Sequence, residues 1–188
     1  MSLIQYLQDS ADLIRQAASD EMAGRVEQAI QRISAALAED KPLLVCGNGG
    51  SASDAIHITG ELVGRFLKER RALNCIALGA DPGTLTAWSN DYSYETALAR
   101  QVEAYGRAGG VLLGITTSGN SANVLKAAET ARGKGMAVIG LTGQGGGKLK
   151  PLCDILLDAP ARHTPLVQQV HACLYHYICQ QVEERLAG

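Results

Sequence analysis

The sequence predicts an α/β fold in which an open parallel sheet of five strands lies between two layers of helices. Three observations predict it: short, fully apolar segments recur along the chain, helical segments lie between them, and glycine-rich turns follow two of the apolar segments. Strands that are apolar on both faces and alternate with helices are typical of a parallel sheet covered on both sides. The length of 188 residues suits one compact domain, 1–188.

Two amphipathic helices are predicted in residues 1–40. Ser19 and Asp20 are good N-caps for the second helix, which ends before Pro42. Residues 41–188 are expected to form the sheet core and the C-terminal helix. The apolar positions at helical spacing are Leu3, Leu7, Ile14 and Ala17 in the first helix, and Met22, Val26, Ile30, Ile33 and Leu37 in the second.

Five strands are predicted where short apolar runs are bounded by turn residues. They are 43–46 (LLVC), 73–78 (LNCIAL), 111–116 (VLLGIT), 137–142 (AVIGLT) and 153–158 (CDILLD). Helices are predicted notably over 53–66, 93–105 and 121–133, and the last begins with Thr164 as N-cap and Pro165 in the first helical position. Ligands of such sheets bind at the carboxyl ends of the strands, where the strand order reverses. A site is therefore expected in the loops that follow those ends.

Composition argues against several classes of protein. The formal net charge is −2 and no basic run occurs, which argues against nucleic-acid binding. No apolar stretch is long enough to span a membrane, and the first twenty residues lack the layout of a signal peptide. The five cysteines are scattered without a CxxC pair, so neither a disulfide framework nor a thiolate zinc site is indicated. These features predict a reduced, cytoplasmic protein.

Two loops have the composition of an anion site. GNGGS (47–51) follows the first strand, TTSGNS (116–121) follows the third, and each leads into a helix. Glycine lets the backbone approach a ligand closely, and a helix start offers free N–H groups. Hydroxyl groups add uncharged donors, so the set suits a phosphate monoester. One such loop alone is more economically an ordinary turn, whereas two after neighbouring strands favour phosphate.

Neither loop matches a nucleotide-binding signature. No Lys-Ser/Thr follows the glycines and the spacing is not GxGxxG, so a Walker loop and a dinucleotide site are both disfavoured. GQGGGK (143–148) resembles a P-loop only superficially. We interpret it as a flexible turn before the last strand.

His57 and Glu61 are four residues apart and share a helical face, and such a pair can chelate zinc. Further ligands would come from the last helix, where Gln168 and His176 are about 80° apart around the axis and about 12 Å apart along it. Both reach one metal only with extended side chains or an irregular helix start. Taken singly, His57 is more economically a satisfied, partly buried histidine, and Glu61 a partner of Arg65.

Other residues have plain structural interpretations. Asn90 and Asp91 can simply form a turn, and Trp88 is most economically a core or interface residue. His163 and His171 are interpreted as surface residues or as residues that contact the metal ligands without binding the metal.

Taken together, CGNGGSASDAIHITGELVGRF, TLTAWSNDYSYE, TSGNSANVLKAAETARGKGM, LTGQGGGKL and VQQVHACLYH resemble the sugar isomerase (SIS) family over essentially the whole chain. The His-x-x-x-Glu pair makes the match specific, because SIS domains in general share the Ser-rich loop but lack the pair. The resemblance implies a flavodoxin-like three-layer α-β-α sandwich with two extra N-terminal helices for oligomerisation.

The resemblance also implies an activity, namely aldose-ketose isomerisation. The substrate would be D-sedoheptulose 7-phosphate and the product D-glycero-D-manno-heptose 7-phosphate, formed through an enediol as the first step toward ADP-heptose and the lipopolysaccharide core. It further implies a homotetramer with active sites between subunits and one Zn²⁺ per subunit. No nucleic acid and no membrane would be partners.

Site residues follow from the resemblance, position by position. The implied zinc ligands are His57, Glu61, Gln168 and His176. The implied sugar site comprises Asn48, Gly49, Gly50 and Ser51, with Asn90, Asp91, Glu61 and Gln168 also contacting substrate. The implied phosphate site comprises Thr116, Thr117, Ser118 and Ser121. We hypothesise that Glu61 is the catalytic base and His176 the acid.

The chain departs from the family pattern at two places. Thr116 stands where the family usually has Ser, which keeps the hydroxyl. Leu166 and Val167 follow Pro165 where the family commonly has Arg-Ile, so a charge is missing there. This second departure concerns the carbonyl end of the pocket.

Three alternatives to an enzyme remain open at this point. A non-catalytic SIS module that binds the bacterial replication initiator has the same architecture but lacks the glutamate of the pair, so Glu61 favours the enzyme. A domain that senses another sugar phosphate would explain the loops but leave His57, Glu61 and His176 without a role. A helical oligomerisation scaffold would leave both hydroxyl loops unexplained.

Overall fold

The structure, a computed structural model, describes residues 1–187 and contains one parallel sheet of five strands in the order β2-β1-β3-β4-β5. The strands are β1 (Leu43–Cys46), β2 (Cys75–Ala77), β3 (Val111–Thr116), β4 (Ala137–Thr142) and β5 (Ile155–Asp158). All neighbouring strands pair in parallel, and Leu43 is in register with Cys75 on one side and with Val111 on the other. The strand order reverses between β1 and β3, which is where ligands of such sheets bind.

Helices cover both faces of the sheet, as the three-layer prediction requires. They are α1 (Leu3–Ala17), α2 (Asp20–Ala38), α3 (Gly50–Val63), α4 (Pro82–Asp91), α5 (Tyr94–Tyr105), α6 (Ala122–Gly133) and α7 (Thr164–Leu186), with a 3-10 helix at Gly147–Leu152. One core joins α2, α3 and α7 to the sheet through side chains such as Ile30, Ile58 and Ile178. The other joins α5 and α6 to the opposite face through Val102 and Val124. The predicted fold class is confirmed.

The two N-terminal helices differ in their role in the core. Burial of Ile30, Ile33 and Leu37 makes α2 part of the main core. In contrast, α1 packs through Leu13 and Ala17 on α7, and its first two turns leave apolar side chains exposed. Within the described residues, no helix combines the length and the apolar character that crossing a bilayer requires.

Several predicted element boundaries were right and others wrong. β1, β3 and β4 have the predicted bounds, whereas β2 and β5 are each shorter. At β5 the reason is that Asp154, before the strand, uses its carboxylate to accept the N–H of Val138. Helix α3 begins at Gly50 rather than at 53, because Gly49 turns the chain with a positive φ of 55°.

Helix α4 was not predicted, and the expectation that Asn90 and Asp91 form a turn was wrong, because they are the last two residues of α4. The helix contains no buried residue and many poor helix formers, so it carries little apolar periodicity. Its start does carry a signal: Asp81 accepts hydrogen bonds from the N–H groups of Gly83 and Thr84, and Pro82 occupies the first turn.

Two further expectations need correction. His163, not Thr164, is the N-cap of α7, and the Thr164 hydroxyl lies 3.1 Å from that of Thr117 instead. The segment 143–148 was interpreted as a flexible turn alone, but its end belongs to the 3-10 helix and its start is tied to the second loop by the Gly143 N–H, which donates to the Thr117 carbonyl. All five cysteines are free, as the sequence predicted.

Candidate active site

His57 and Glu61 from α3 meet His176 from α7 on the side of the sheet that α2, α3 and α7 cover. Nε2 of His57 lies 3.0 Å from Oε1 of Glu61, and one ligand atom from each of the three residues lies within 4.8 Å of the others. Two imidazoles and a carboxylate are donor types that zinc takes, at about 2.0–2.2 Å from the ion. The alternative partner of Glu61 is excluded, because Arg65 pairs with Glu69.

Hydrogen bonds orient the two histidines of this cluster. Nδ1 of His176 lies 2.8 Å from the Ala172 carbonyl, so this nitrogen carries a proton and Nε2 is left for the site. Nδ1 of His57 lies 3.2 Å from the Tyr175 hydroxyl. Such outer contacts fix the tautomer of a metal-binding imidazole.

Asp54 lies behind His57 and contacts Tyr175. One carboxylate oxygen of Asp54 is buried without a hydrogen-bond partner among the described residues. Burial raises the pKa of the Asp54 carboxyl, and the Tyr175 hydroxyl, His57 and His176 only partly offset it. The pKa of Tyr175 is raised to about 12 by burial and by the Asp54 charge, so its hydroxyl stays protonated. A carboxylate, a phenol and an imidazole thus form a chain that ends at the candidate metal site.

Gln168 stands at the other end of the site, one turn into α7. A Cβ added to Gly50 would lie only 2.5 Å from its amide nitrogen, so the side chain fills the space that this glycine leaves open. The Gln168 amide therefore reaches the first glycine loop. Its role as a fourth ligand stays a prediction.

The first loop is held by an amide pair that the sequence did not reveal. Asn48 and Asn123 exchange two hydrogen bonds of 2.9 and 2.8 Å between their side-chain amides. The Tyr94 hydroxyl donates a further bond of 2.6 Å to Oδ1 of Asn48. Asn48 therefore lines the loop with its side chain already engaged, and it links the end of β1 to the starts of α5 and α6.

Asn90 and Asp91 lie at the end of α4, where Nδ2 of Asn90 donates to Oδ1 of Asp91 across 3.0 Å. Both side chains are exposed. Tyr94 follows three residues later and reaches Asn48, so this corner borders the first loop. Their contact with substrate stays a prediction.

The second loop gathers the hydroxyls predicted to bind phosphate. The Thr116 hydroxyl lies 2.9 Å from that of Ser121 and 3.4 Å from that of Ser118. Helices α3 and α6, which follow the two loops, both begin without a side-chain cap, whereas α1, α2, α4 and α5 are capped by Ser or Asp. Uncapped N–H groups and the positive end of the helix dipole suit an anion.

The glycine-rich segment 143–147 packs against the second loop. Gly119 has a positive φ of 68°, and a Cβ there would meet the Gly146 carbonyl at 2.1 Å. The amide oxygen of Asn120 accepts the N–H of Lys148. The shape of the second loop therefore depends on the segment 143–148, which is more than a flexible turn.

The departure at Leu166 and Val167 has a packing explanation. Val167 is fully buried with Leu13 and Ala17 of α1, and Leu166 packs against the same cluster. An apolar pair at this position therefore stabilises the contact between α1 and α7.

Comparison with known proteins places this fold in a class. The family model of the SIS domain matches residues 5–143, so this is a SIS-domain protein. A phosphoheptose isomerase of Crocosphaera subtropica is 47% identical over 181 residues, which are 96% of this chain and 92% of that protein.

Two solved structures agree with this likeness. A phosphoheptose isomerase from Neisseria gonorrhoeae superposes with a TM-score of 0.90 at 37% identity and covers 97% of both chains. One from Francisella tularensis has a TM-score of 0.93 at 35% identity and covers 97% of this chain and 96% of its own. The chain belongs to the phosphoheptose isomerase family.

Proposed function

We propose that this protein is an aldose-ketose isomerase that converts D-sedoheptulose 7-phosphate into D-glycero-D-manno-heptose 7-phosphate, the first step toward ADP-heptose and the lipopolysaccharide core. The observation that carries the proposal is the meeting of His57 and Glu61 with His176, on a helix that starts from a glycine loop. His57 lies about 10 Å along α3 from Gly50. A phosphorylated sugar held by the loops can thus reach the acid-base groups.

The proposed chemistry moves a proton between adjacent carbons. Glu61 removes the proton from C1 of the ketose while His176, as imidazolium, donates a proton to the carbonyl oxygen at C2, which gives the enediol. Glu61 then returns its proton to C2, and His176 takes back the proton of the C1 hydroxyl as the aldehyde forms. General acid-base catalysis of this kind contributes about 10²–10⁴-fold to the rate.

The second loop and the uncapped start of α6 hold the phosphate far from the reacting carbons. Thr116, Ser118 and Ser121 supply hydroxyl donors, with Thr117 beside them. Binding energy at this remote group orients the reacting end of the sugar. In the first loop the main chain of Gly49, Gly50 and Ser51 faces the sugar, and Asn48 holds the loop in place.

We propose one Zn²⁺ per subunit, held by His57, Glu61, Gln168 and His176. The histidine and carboxylate donor set suits this ion. When bound, the ion supplies Lewis-acid polarisation of a carbonyl oxygen. Glu61 and His176 then serve both as ligands and as proton carriers, which requires that their contacts change when substrate arrives.

A homotetramer formed through residues 1–40 is part of the proposal. The exposed apolar side chains at the start of α1 support it, because a free helix of this kind leaves Leu3, Ile4 and Leu7 in water. Five free thiols support a reducing, cytoplasmic location.

The test is a coupled assay on D-sedoheptulose 7-phosphate with and without a chelator. We expect turnover that chelation abolishes and Zn²⁺ restores. Absence of turnover in the metal-loaded protein would contradict the proposed reaction. Full turnover after complete metal removal would contradict only the role of the ion.

A further inference from the structure

The loop between α3 and β2, residues 64–74, is fastened to α7 by one buried carboxylate. Glu183 accepts three consecutive main-chain N–H groups, and its side chain is only 2% exposed. The three donors and their distances are Phe66 at 2.8 Å, Leu67 at 2.6 Å and Lys68 at 2.9 Å. A carboxylate that accepts several N–H bonds is held in a fixed orientation. The loop is therefore hydrogen-bonded to α7 through the carboxylate of Glu183.

Arg70, from the same loop, joins this carboxylate to the end of α3. Its guanidinium lies 3.2 Å from Glu183 and is 1% exposed. It donates to the main-chain carbonyls of Glu61 at 2.8 Å and of Gly64 at 2.7 Å. These carbonyls belong to the last turn of α3, where cationic donors satisfy free C=O groups. Arg70 thus hydrogen-bonds directly to the main chain of Glu61.

The electrostatics of this pair point to a geometric role. Burial alone would raise the pKa of the Glu183 carboxyl, but the three N–H donors and Arg70 outweigh it and lower the pKa. Both groups are therefore charged in a dry environment. A buried ion pair is a costly way to gain stability, since apolar replacements are often as stable. What such a pair does supply is a fixed geometry between the elements it joins.

The elements joined here are the two that build the candidate active site. Helix α3 carries His57 and Glu61, and α7 carries His176, two turns before Glu183. The same loop places the Phe66 ring 6.1 Å from the His176 ring. The ion pair thus joins the end of α3 to α7.

We infer that Arg70 and Glu183 are positioning residues that hold α3 against α7 at the separation at which His57, Glu61 and His176 share one metal ion. This inference rests on the metal site of the proposed function. Loss of either partner lets the end of α3 move relative to α7, and the ligand atoms then separate.

The test compares Zn²⁺ affinity of the full-length wild type with that of Glu183→Gln and Arg70→Lys, by competition with a chromophoric chelator. Glu183→Gln keeps the shape of the side chain but replaces one acceptor oxygen with an NH₂ donor. Arg70→Lys keeps a positive charge beside Glu183 but loses the planar guanidinium that donates to several groups at once. The matched control is Glu184→Gln, which breaks the half-exposed Lys68–Glu184 pair between the same loop and helix. Circular dichroism and thermal unfolding of the metal-free proteins establish that each variant is folded.

We expect both variants to fold and to bind Zn²⁺ about 10–100-fold more weakly, which is the usual effect of changing residues that orient metal ligands. The control should keep wild-type affinity. Either folded variant with wild-type affinity would overturn the inference. If neither variant folds, the pair serves folding and the inference is equally overturned. A wild type that binds no Zn²⁺ would instead contradict the metal assignment, which separates the two failures.

Discussion

Glu61 lies one helical turn from His57 on α3, and its Oε1 is 3.0 Å from Nε2 of the histidine. On an isolated helix such a pair is a weak surface contact. Here α7 brings His176 against the pair, with 4.9 Å between the two imidazole centroids. The pair therefore has a third possible metal ligand beside it, which an isolated helix face does not offer.

Glu61→Gln should keep the fold and remove turnover. Glutamine preserves the shape of the side chain but cannot accept a proton from carbon, so the rate should fall by at least about 100-fold, the usual lower bound for loss of a general base. The coupled isomerase assay measures the rate, and circular dichroism checks the fold. Glu69→Gln is the control, because the ion pair of Glu69 among the described residues is with the exposed Arg65. Near-normal turnover by Glu61→Gln would refute the assignment of the base.

Ser118→Ala combined with Ser121→Ala should chiefly raise KM. Each lost hydrogen bond to a charged phosphate is worth about 1.5–3 kcal/mol, so KM should rise by more than about tenfold while kcat changes less. Ser89→Ala is the control, because in residues 1–187 the Ser89 hydroxyl donates to the Leu85 carbonyl within α4. Unchanged binding of a phosphorylated sugar in titration calorimetry would show that the phosphate is held elsewhere.

The sheet was predictable because its signals are local. The runs at 43–46, 111–116 and 137–142 are apolar apart from a final threonine in the last two, and they lie between turn residues, which is the pattern of a buried parallel strand. The two loops were predictable for the same reason, because their glycines and hydroxyls follow those strands directly. In α4, by contrast, the residues show little apolar periodicity, and the local signal is confined to Asp81 and Pro82 at its start.

The support of the site was not predictable from local pattern. Asn123 and Tyr94 meet Asn48, and Tyr175 meets His57, only after the chain has crossed the sheet. Asparagine and tyrosine are common on any helix, so neither residue type carries a spacing signal by itself. The pairing Arg70–Glu183 is hidden in the same way, between a loop and the last helix.

Tyr175→Phe should weaken metal binding without unfolding the protein. The phenol bridges His57 and Asp54, and its loss frees the imidazole and leaves a partly buried carboxyl without its partner. We expect Zn²⁺ affinity to fall by about 10–100-fold. Tyr177→Phe, on the exposed side of the same helix, is the matched control. Equal affinities of the two variants in chelator competition would contradict this role of Tyr175.

His171 should make the folded state sensitive to acid. Its ring is fully buried with Nε2 3.0 Å from the Thr142 carbonyl, and burial lowers its pKa from 6.5 to about 4, although the Thr142 carbonyl acts in the opposite direction. Between these two pH values the unfolded chain binds a proton at this residue and the folded chain does not. The free energy of unfolding contributed by His171 is therefore complete above pH 6.5 and is lost as the pH falls toward about 4.

The size of this effect follows from the pKa difference, since one pKa unit corresponds to about 1.4 kcal/mol and the whole shift to about 3 kcal/mol. His171→Gln keeps a donor near the Thr142 carbonyl but has no group that titrates. Urea unfolding of both proteins from pH 7 downward should show the wild type losing about 3 kcal/mol more than the variant. Parallel stability curves would mean that the pKa of His171 is the same in the folded and unfolded chains, contrary to its burial against β4.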